Sequence, residues 1–291
     1  MKIHSKAAFS GLATITLIAG GCAKPPKPIV VGSENSTEQI VVGEIVAQHL
    51  EHALHRKVAR RLGLGDESIL YQAIVGGDVT LYPDYPAAIE AVILREHPDP
   101  NPDIVLDRAR SELLRTAQLK LLDPLGYEST PVVAVKSADA HRAKVKTLSD
   151  AETAEFRWKL GVSYNFEQRA GGATALSAYA IPMEQGTRAM EPSQLFPALE
   201  RGEVTMVAST AADGRLLSSE YTVLTDDRGV FPAYRACLLV RRGADPALGP
   251  ALASLSGKLS TETVRKLTAA VDLDHRNPAE VAARFLAEAG L

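Results

Sequence analysis

The chain has 291 residues, 46% of them apolar and 23% charged, and its formal net charge at pH 7 is −3. These proportions are those of a globular protein, and the length is sufficient for two domains with separate cores. A weakly acidic chain lacks the basic face that neutralises phosphate groups, so we exclude nucleic acid as a partner.

The N-terminal segment has the pattern of an export signal. Lys2 and Lys6 precede a short apolar run, which small residues close just before Cys22. A basic start, an apolar core and a small-residue cleavage site are typical of a signal peptide, here 1–21. The cysteine at the cut predicts lipidation of Cys22, which would anchor the mature chain to a membrane outside the cytoplasm. A plain signal peptide with an incidental cysteine is the alternative; the run is too short and too polar for a membrane span.

The mature chain is expected to begin with a spacer and to contain no disulfide. Residues 22–28 are rich in proline and lysine, which predicts an extended linker. Since a lipidated Cys22 is not available for a disulfide, Cys237 would have no partner within the chain. Its place in the apolar run Ala236–Val240 predicts a buried, inert thiol.

From Ile29 onward, strand patterns alternate with helix patterns. The predicted strands are 29–32, 57–62, 79–82, 131–135, 159–162, 204–208, 222–224 and 236–240. The predicted helices are 37–55, 68–76, 86–97, 107–118, a short one from Leu148, 172–180, 246–256, 260–270 and 278–289, with a loop at 98–103. Such alternation predicts an α/β fold in which helices cover both faces of a parallel sheet.

One segment is echoed later in the chain. Residues 73–81 (AIVGGDVTL) resemble residues 198–206 (ALERGEVTM). In each, a helix end, a glycine turn, an acidic residue and a short strand follow one another. Ligands of open α/β sheets bind outside the carboxyl ends of strands, so two such ends could face one another across a cleft. A helix followed by a glycine, an acidic residue and a strand is also a common succession in proteins. If the echo is considered alone, we prefer this explanation, in which the similarity has no functional meaning.

An ordered set of motifs indicates a family. The motifs are GSENSTEQ at 32–39, LGLG at 62–65, LYPDY at 81–85, ADGR at 212–215, VFPAYRACLLVRR at 230–242 and the carboxyl-terminal AAVDLDHRNPAEVAARFLAEAGL. Together they resemble the substrate-binding proteins of osmoprotectant ABC importers for glycine betaine, choline or carnitine, the quaternary amine uptake family. The resemblance covers residues 29–291.

The resemblance implies an α/β, two-lobed, clam-shell binding protein of type II with two hinge strands, here 131–135 and 237–240. Lobe I would comprise 29–133 plus 238–291, and lobe II would comprise 134–237. It further implies an extracytoplasmic, monomeric lipoprotein that delivers a small quaternary amine or related cationic or zwitterionic solute to an ABC permease. Proteins hold a quaternary ammonium with aromatic faces because it cannot donate a hydrogen bond.

Three positions match the family's ligand-binding residues. Tyr85 and Tyr234 match two tyrosines of the aromatic cage, and Arg169 matches an arginine that grips the ligand carboxylate. Each has an ordinary structural alternative: the tyrosines as core residues with satisfied hydroxyls, and Arg169 as a solvated surface residue. Asn35 lies at a predicted helix start, where backbone N–H groups bind anions, although a simple helix cap is the commoner use.

The chain departs from the family at other binding positions. Pro131 and Thr210 stand where the family has its two other cage tyrosines, and Glu34 stands where it has a lysine. The loss of two rings would weaken binding of the same ligand by roughly 1–4 kcal/mol. We therefore expect a poor site for glycine betaine itself and a cation-bearing solute with Glu34 as its counter-charge. The alternative for Glu34 is a side chain that points into water.

Two other classes of protein remain as alternatives. An exported hydrolase or lyase on the same fold would turn its substrate over, but the sequence has no GxSxG, HExxH or Walker motif. A purely structural lipoprotein would have no cleft. His49, His52 and His55 are spaced along one predicted helix, where we expect a solvated face and no metal site. No enzyme activity and no cofactor are expected.

Overall fold

A computed structural model of the protein describes residues 28–164, 166, 172–184 and 186–291. The predicted signal peptide 1–21, Cys22 and Arg169 lie outside the described residues. Within the described part of the chain, no helix combines the length and the apolar content needed to cross a membrane.

The strands form two separate five-stranded sheets. The first sheet has the order β2-β1-β3-β10-β4 and contains β1 (Ile29–Gly32), β2 (Val58–Arg61), β3 (Leu81–Asp84), β4 (Leu119–Leu121) and β10 (Cys237–Arg241). The second has the order β7-β6-β8-β5-β9 and contains β5 (Pro131–Lys136), β6 (Leu160–Ser163), β7 (Arg188–Met190), β8 (Met206–Thr210) and β9 (Tyr221–Leu224). The molecule is thus a two-lobed α/β protein, as predicted.

Helices cover both sheets. The α-helices are α1 (Thr37–Leu54), α2 (Glu67–Gly76), α3 (Pro86–Ala88), α4 (Pro102–Ala117), α5 (Ser137–Ala143), α6 (Leu148–Thr153), α7 (Ala173–Leu176), α8 (Leu195–Glu200), α9 (Leu248–Ala253), α10 (Thr261–Asp272) and α11 (Pro278–Ala289). A π-helix at Ile89–Leu94 continues α3, and short 3₁₀ turns lie at Pro192–Gln194 and Gly214–Leu217. In the first lobe, one face of the sheet packs on α1 and the carboxyl-terminal helices, and the other packs on α2 and α4.

The sheets are mixed, which corrects the expectation of a parallel sheet. Strands joined through helices within one lobe pair in parallel, as β1 does with β2 and β3, and β6 with β7 and β8. The strands that enter a sheet from the other lobe, β5 and β10, run antiparallel to their neighbours. Antiparallel pairing needs no crossover helix, so a strand arriving from the other lobe can insert directly in that direction.

Two segments cross between the lobes side by side. One joins β4 to β5 and the other joins β9 to β10, and they exchange backbone hydrogen bonds. Leu125 N–H donates to Ala236 O (2.8 Å), Ala236 N–H to Tyr127 O (3.0 Å), and Ser129 N–H to Tyr234 O (2.8 Å). Strand pairing puts the whole of β5 in the second sheet and the whole of β10 in the first. The lobe limits at 133/134 and 237/238 stay predictions.

Helix α4 begins earlier than predicted. The prolines at 98–102 predicted a loop up to 103 and a helix only from 107, whereas α4 starts at Pro102. Asn101 caps it by accepting a hydrogen bond from Asp103 N–H (2.9 Å). Proline is favoured at the first position of a helix, because its missing N–H has no partner there in any case. Pro102 is therefore the first residue of α4 and not part of the preceding loop.

Two single-residue predictions have opposite outcomes. Cys237 is a free, fully buried cysteine, and burial raises the pKa of its thiol to about 12, as expected of an inert side chain. His49 does not belong to a solvated helix face: it is buried, and its Nε2 lies 2.9 Å from Ala251 O and 2.8 Å from Ser254 Oγ. The helix α9 that covers it comes from the far end of the chain, which no local spacing could reveal.

Candidate functional site

The carboxyl ends of strands from both sheets meet at one cleft. It has a volume of about 860 Å³. The first lobe contributes the loop after β1, the start of α1 and the end of β3, and the second contributes the ends of β6 and β8. This is the position at which open α/β sheets bind ligands.

Five of the predicted site residues line the cleft: Glu34, Asn35, Tyr85, Pro131 and Thr210. Tyr234 is fully buried and does not reach the cleft wall. Arg169 lies outside the described residues. The arrangement brings together positions that are up to 176 residues apart in the sequence, from Glu34 to Thr210.

The two predicted cage tyrosines pack against one another. Their ring centroids are 5.7 Å apart at an interplanar angle of 55°. Tyr85 lines the cleft but is only 1% exposed, and Tyr234 beneath it has no exposed surface. In this conformation Tyr85 therefore presents little ring face to a solute, and Tyr234 supports it from behind.

A glutamate that sequence reasoning did not select lies at the floor of the cleft. Glu38, in the first turn of α1, is 8% exposed and lines the cleft. Its carboxylate accepts hydrogen bonds from the hydroxyl of Tyr85 and from Ser129 Oγ (2.5 Å). The same two side chains lie beside Tyr127. Burial raises the pKa of the Tyr127 hydroxyl well above its usual value, and the neighbouring Tyr85 and Glu38 raise that pKa further. Glu38 thus fixes the position of Tyr85.

The two positions at which family tyrosines are absent are direct neighbours. Pro131 on β5 pairs with Thr210 on β8 in the antiparallel register. Directly opposed residues on one face of such a pair have Cβ atoms about 5 Å apart. Pro131 and Thr210 are therefore adjacent on the second-lobe side of the cleft.

The loop after β1 is held by the LGLG segment. Asn35 N–H donates to Gly65 O (3.0 Å), and Gly63 N–H donates to Ser33 Oγ (2.9 Å). The helix cap of α1 is Ser36, whose Oγ accepts from Gln39 N–H (3.3 Å). Capping is therefore done by Ser36, and Asn35 is part of the cleft wall.

The second lobe supplies aromatic rings that sequence reasoning missed. Tyr164 and Phe166 follow β6 and line the cleft, and Tyr164 is 55% exposed. Nearby, Arg215 donates to both carboxylate oxygens of Asp213 (2.8 and 2.7 Å). The signal for Tyr164 was its place just after a strand, the same position that directed attention to Tyr85.

The described part of the wall is rich in carboxylates. Six acidic residues line the cleft, against one basic residue, Arg215, which pairs with Asp213. The acidic residues are Glu34, Glu38, Asp66, Glu191, Asp213 and Asp272. A concave, low-dielectric wall of one sign concentrates its field on whatever enters. The described wall favours a solute with a positive charge.

Three buried carboxylates lie close together, and one of them, Glu34, also lines the cleft. Oxygen atoms of Glu34, Glu67 and Asp84 all lie within 4.8 Å of one another. They meet because the carboxyl ends of the parallel strands β1 and β3 are adjacent and α2 begins above them. Burial raises the pKa of Tyr82 well above its usual value, and the charges of the three carboxylates raise it further. Such an oxygen set is able to hold a cation, either a metal ion or an ammonium group.

Comparison with curated proteins finds relatives among binding proteins of importers. The chain is 27% identical to the "Carnitine transport binding protein OpuCC" of Listeria monocytogenes over 98% of this chain and 97% of that protein. It is 26% identical to the "Ergothioneine transport permease/ergothioneine binding protein EgtU" of Helicobacter pylori over 91% of this chain. It spans only about half, 48%, of that second protein.

A solved structure and a protein-family model both match this chain, in agreement with the fold described above. A crystal structure described as a glycine betaine/carnitine/choline ABC transporter has a TM-score of 0.75 and 22% identity, and covers 89% of this chain and 98% of that one. At this identity the likeness shows the two-lobed clam-shell fold. The family described as the substrate-binding domain of ABC-type glycine betaine transport systems matches residues 27–288, and the protein belongs to that family.

Proposed function

We propose that the protein holds a small quaternary amine, or a related cationic or zwitterionic solute, in its cleft and delivers it to an ABC permease. The observation that carries this proposal is the acid-rich wall between two lobes, in a member of a substrate-binding family. The relative named for carnitine transport supports the same class of solute. The family consists of extracytoplasmic transport proteins, so the alternative of an exported enzyme has no support.

We further propose that glycine betaine itself is a poor ligand. Pro131 and Thr210 are adjacent where the family would place two rings, and their smaller side chains suit a bulkier solute. Glu34 would repel the carboxylate of a betaine and attract a cation. In this proposal Tyr85, supported by Tyr234, contributes the small area of ring that it exposes to the cleft, and Arg169 with Glu34 sets the charge preference.

We also propose that Cys22 carries a lipid anchor and that the mature protein acts as a monomer. The small residues before Cys22 support the first statement. A Cys22→Ser variant expressed in a bacterium should move from the membrane fraction to the soluble extracytoplasmic fraction. A variant that stays in the membrane fraction would contradict the anchor, and a dimer in light scattering of the mature chain would contradict the monomer.

The test of the proposed function is a thermal-shift and calorimetry screen of the mature protein. Choline, carnitine and glycine betaine are compared with succinate as an anionic control. We expect saturable stabilisation by at least one cationic or zwitterionic solute, recovery of that solute unchanged, and no response to succinate. Preferential binding of succinate, or chemical conversion of the solute, would contradict the proposal.

A ring-restoring variant sharpens this test. Thr210→Tyr should return one cage face and strengthen glycine betaine binding by roughly twofold to thirtyfold, the range that one cation–π contact supplies. Thr116→Tyr, on the exposed side of α4, is the matched control and should leave the affinity unchanged. Equal affinities of the two variants would show that Thr210 does not face the solute.

A further inference from the structure

We propose that the solute carries an apolar alkyl or aryl group beside its charged end, and that this group lies along three side chains of the cleft, Ile69, Tyr164 and Leu273. These three side chains are called the apolar rim. The proposal rests on the proposed function, since it names the chemical class of the solute held in the same cleft, an amphipathic cation or zwitterion. It separates such solutes from compact ones such as choline and glycine betaine.

The apolar rim is exposed to the cleft although its side chains are apolar. Ile69 is 50% exposed, Leu273 49% and Tyr164 55%, and all three line the cleft. They are three of the eight large apolar side chains that the described residues expose. A single exposed apolar side chain is ordinary on a protein surface, but several that line one concave site indicate an apolar partner. The partner at this place is the solute, because ligands of open α/β sheets bind at the carboxyl ends of the strands.

Ile69 is held against the first-lobe wall by the LGLG turn. Asp66 caps α2 by accepting a hydrogen bond from Ile69 N–H (3.1 Å). A Cβ atom at Gly65 would lie 2.6 Å from Ile69 Cδ1, so the glycine leaves the space that the Ile69 side chain occupies. Gly65 O in turn accepts a hydrogen bond from Asn35 N–H (3.0 Å). Ile69 therefore lies beside the loop after β1, which contains Glu34 and Asn35.

Leu273 follows the end of α10, which is tied to the start of α1. The residue before it, Asp272, accepts a hydrogen bond from Thr37 Oγ1 (2.6 Å). Ile69 and Leu273 thus belong to elements that are hydrogen-bonded to one short segment, residues 35–37, which itself lines the cleft. A solute that lies along this segment would therefore have an apolar side chain on either side of it.

Tyr164 supplies the second-lobe part of the apolar rim. It follows β6, and Phe166 N–H donates to Ser163 O (2.9 Å), which closes a tight turn with Tyr164 inside it. Phe166 belongs to the core of the second lobe, so the turn is anchored while the ring of Tyr164 stays exposed. Aromatic side chains provide large apolar contact areas. Tyr164 thus offers a flat apolar surface to an alkyl or aryl group.

The cleft has room for more than a charged end. Its volume of about 860 Å³ is near the upper end of the range of roughly 300–1,000 Å³ in which proteins bind drug-sized molecules. The lobes already touch in this conformation, where Arg265 on α10 donates to Ala211 O after β8 (2.9 Å), so the volume is not that of two separated lobes. A compact solute would leave the apolar rim in contact with water, whereas an alkyl or aryl group covers it. Removal of apolar surface from water is favourable.

The test varies the apolar group of a probe while its cationic end stays the same. Tetramethylammonium is compared with butyltrimethylammonium, and carnitine with its hexanoyl ester, by calorimetry on the mature protein. Each buried methylene group strengthens binding by up to about fourfold. We therefore expect the longer member of at least one pair to bind roughly tenfold or more tighter than the shorter member.

A double variant tests where the apolar group lies. Ile69→Ser with Leu273→Ser removes the first-lobe part of the apolar rim, and both side chains are about half exposed, so the cores should be retained. The gain in affinity from the longer group should then fall to about threefold or less. Ile104→Ser is the matched control, because this side chain on α4 is 48% exposed and does not line the cleft. The full gain should remain in that control.

Each outcome decides between the two proposals. If the probes bind but the longer members of both pairs gain less than about tenfold, this inference is overturned and the proposed function stands. If the double variant keeps the wild-type gain, the apolar group lies elsewhere and the inference is overturned; loss of permease-dependent uptake by that variant would then assign the apolar rim to the permease. If no cationic or zwitterionic solute in either screen binds, the proposed function fails and this inference fails with it.

Discussion

Two glutamates four residues apart, Glu34 and Glu38, have different surroundings and different consequences. Glu38 lies in the first turn of α1, where the helix dipole favours negative charge. It accepts hydrogen bonds from Tyr85, at the end of β3, and from Ser129, on a segment that crosses between the lobes. A buried carboxylate is tolerated only when it is hydrogen-bonded in this way. Glu38 therefore joins three elements at the floor of the cleft.

We expect Glu38→Gln to destabilise the protein by about 1–3 kcal/mol. The amide retains one accepting oxygen, which is uncharged, so one of the two buried hydroxyl groups loses its acceptor and the other keeps only a neutral one. Solute affinity should fall as well, because Tyr85 loses the contact that orients its ring. Urea denaturation measures the first effect and calorimetry the second, with Glu288→Gln as the exposed control. An unchanged denaturation midpoint would show that the carboxylate charge is not needed.

At the level of single residues, the sequence predicts a place in the cleft for residues that stand within a local motif. Glu34, Asn35 and Tyr85 were found because each stands in a recognisable segment just after a strand, and all three line the cleft. Glu38 stands in the same segment as Glu34, but its partners are 47 and 91 residues away. No spacing rule connects them, so its role is visible only in the folded chain.

At the scale of elements, the echo between residues 73–81 and 198–206 is a repeated structure. Gly77 and Gly202 both have positive φ, 86° and 72°. In both turns the acidic residue after the glycine donates its N–H to the alanine that begins the segment, over 2.9 and 3.0 Å. From the sequence alone, we preferred to explain the echo as a succession of elements that is common in proteins. The structure shows more than that, because the two turns occupy equivalent places in the two sheets.

The repeat extends to one threonine in each lobe. Thr80 Oγ1 accepts from Val30 N–H (3.0 Å), and Thr205 Oγ1 accepts from Lys159 N–H (2.9 Å). We expect Thr80→Val and Thr205→Val to cost similar amounts, about 1–2 kcal/mol each, because each leaves a partly buried N–H without its acceptor. Their effects should add, since the sites are in separate lobes.

Urea denaturation of the two single variants and the double variant checks this, with Thr116→Val at an exposed position of α4 as the control. A large loss of stability at one threonine and none at the other would contradict the equivalence of the two turns.

The direction of the strands that cross between the lobes was harder to predict from the sequence. The antiparallel direction of β5 and β10 depends on chain paths through the other lobe, and periodicity within a strand contains no information on direction.

At the scale of the whole molecule, the lobes touch beyond their crossing segments. Arg265 on α10 donates from Nε (2.9 Å) and Nη2 (2.5 Å) to Ala211 O, just after β8. Thr268 Oγ1 donates to Ala212 O (2.8 Å). The 3₁₀ turn that begins at Gly214 lies directly on the same helix. The sequence predicted two lobes around a cleft, but not this contact, since its partners are 54 and 56 residues apart.

Gly214 is the closest point of that contact. A Cβ atom there would lie 2.2 Å from Ala269 N and 2.5 Å from Ala269 Cα, both backbone atoms that no rotamer change can move away. We therefore expect Gly214→Ala to push the second lobe off α10 while each lobe keeps its own core. Lobe closure completes a site of this kind, so solute affinity should fall in proportion to the lost closed population, by roughly tenfold.

Small-angle scattering and calorimetry measure the two consequences together. The radius of gyration of Gly214→Ala should increase and respond less to solute than that of the wild type. Gly249→Ala is the matched control: it lies in α9, its added methyl group meets no atom within 4 Å, and alanine is the better helix former. If Gly214→Ala and Gly249→Ala gave the same scattering curve and the same affinity, the contact between α10 and the second lobe would have no part in solute binding.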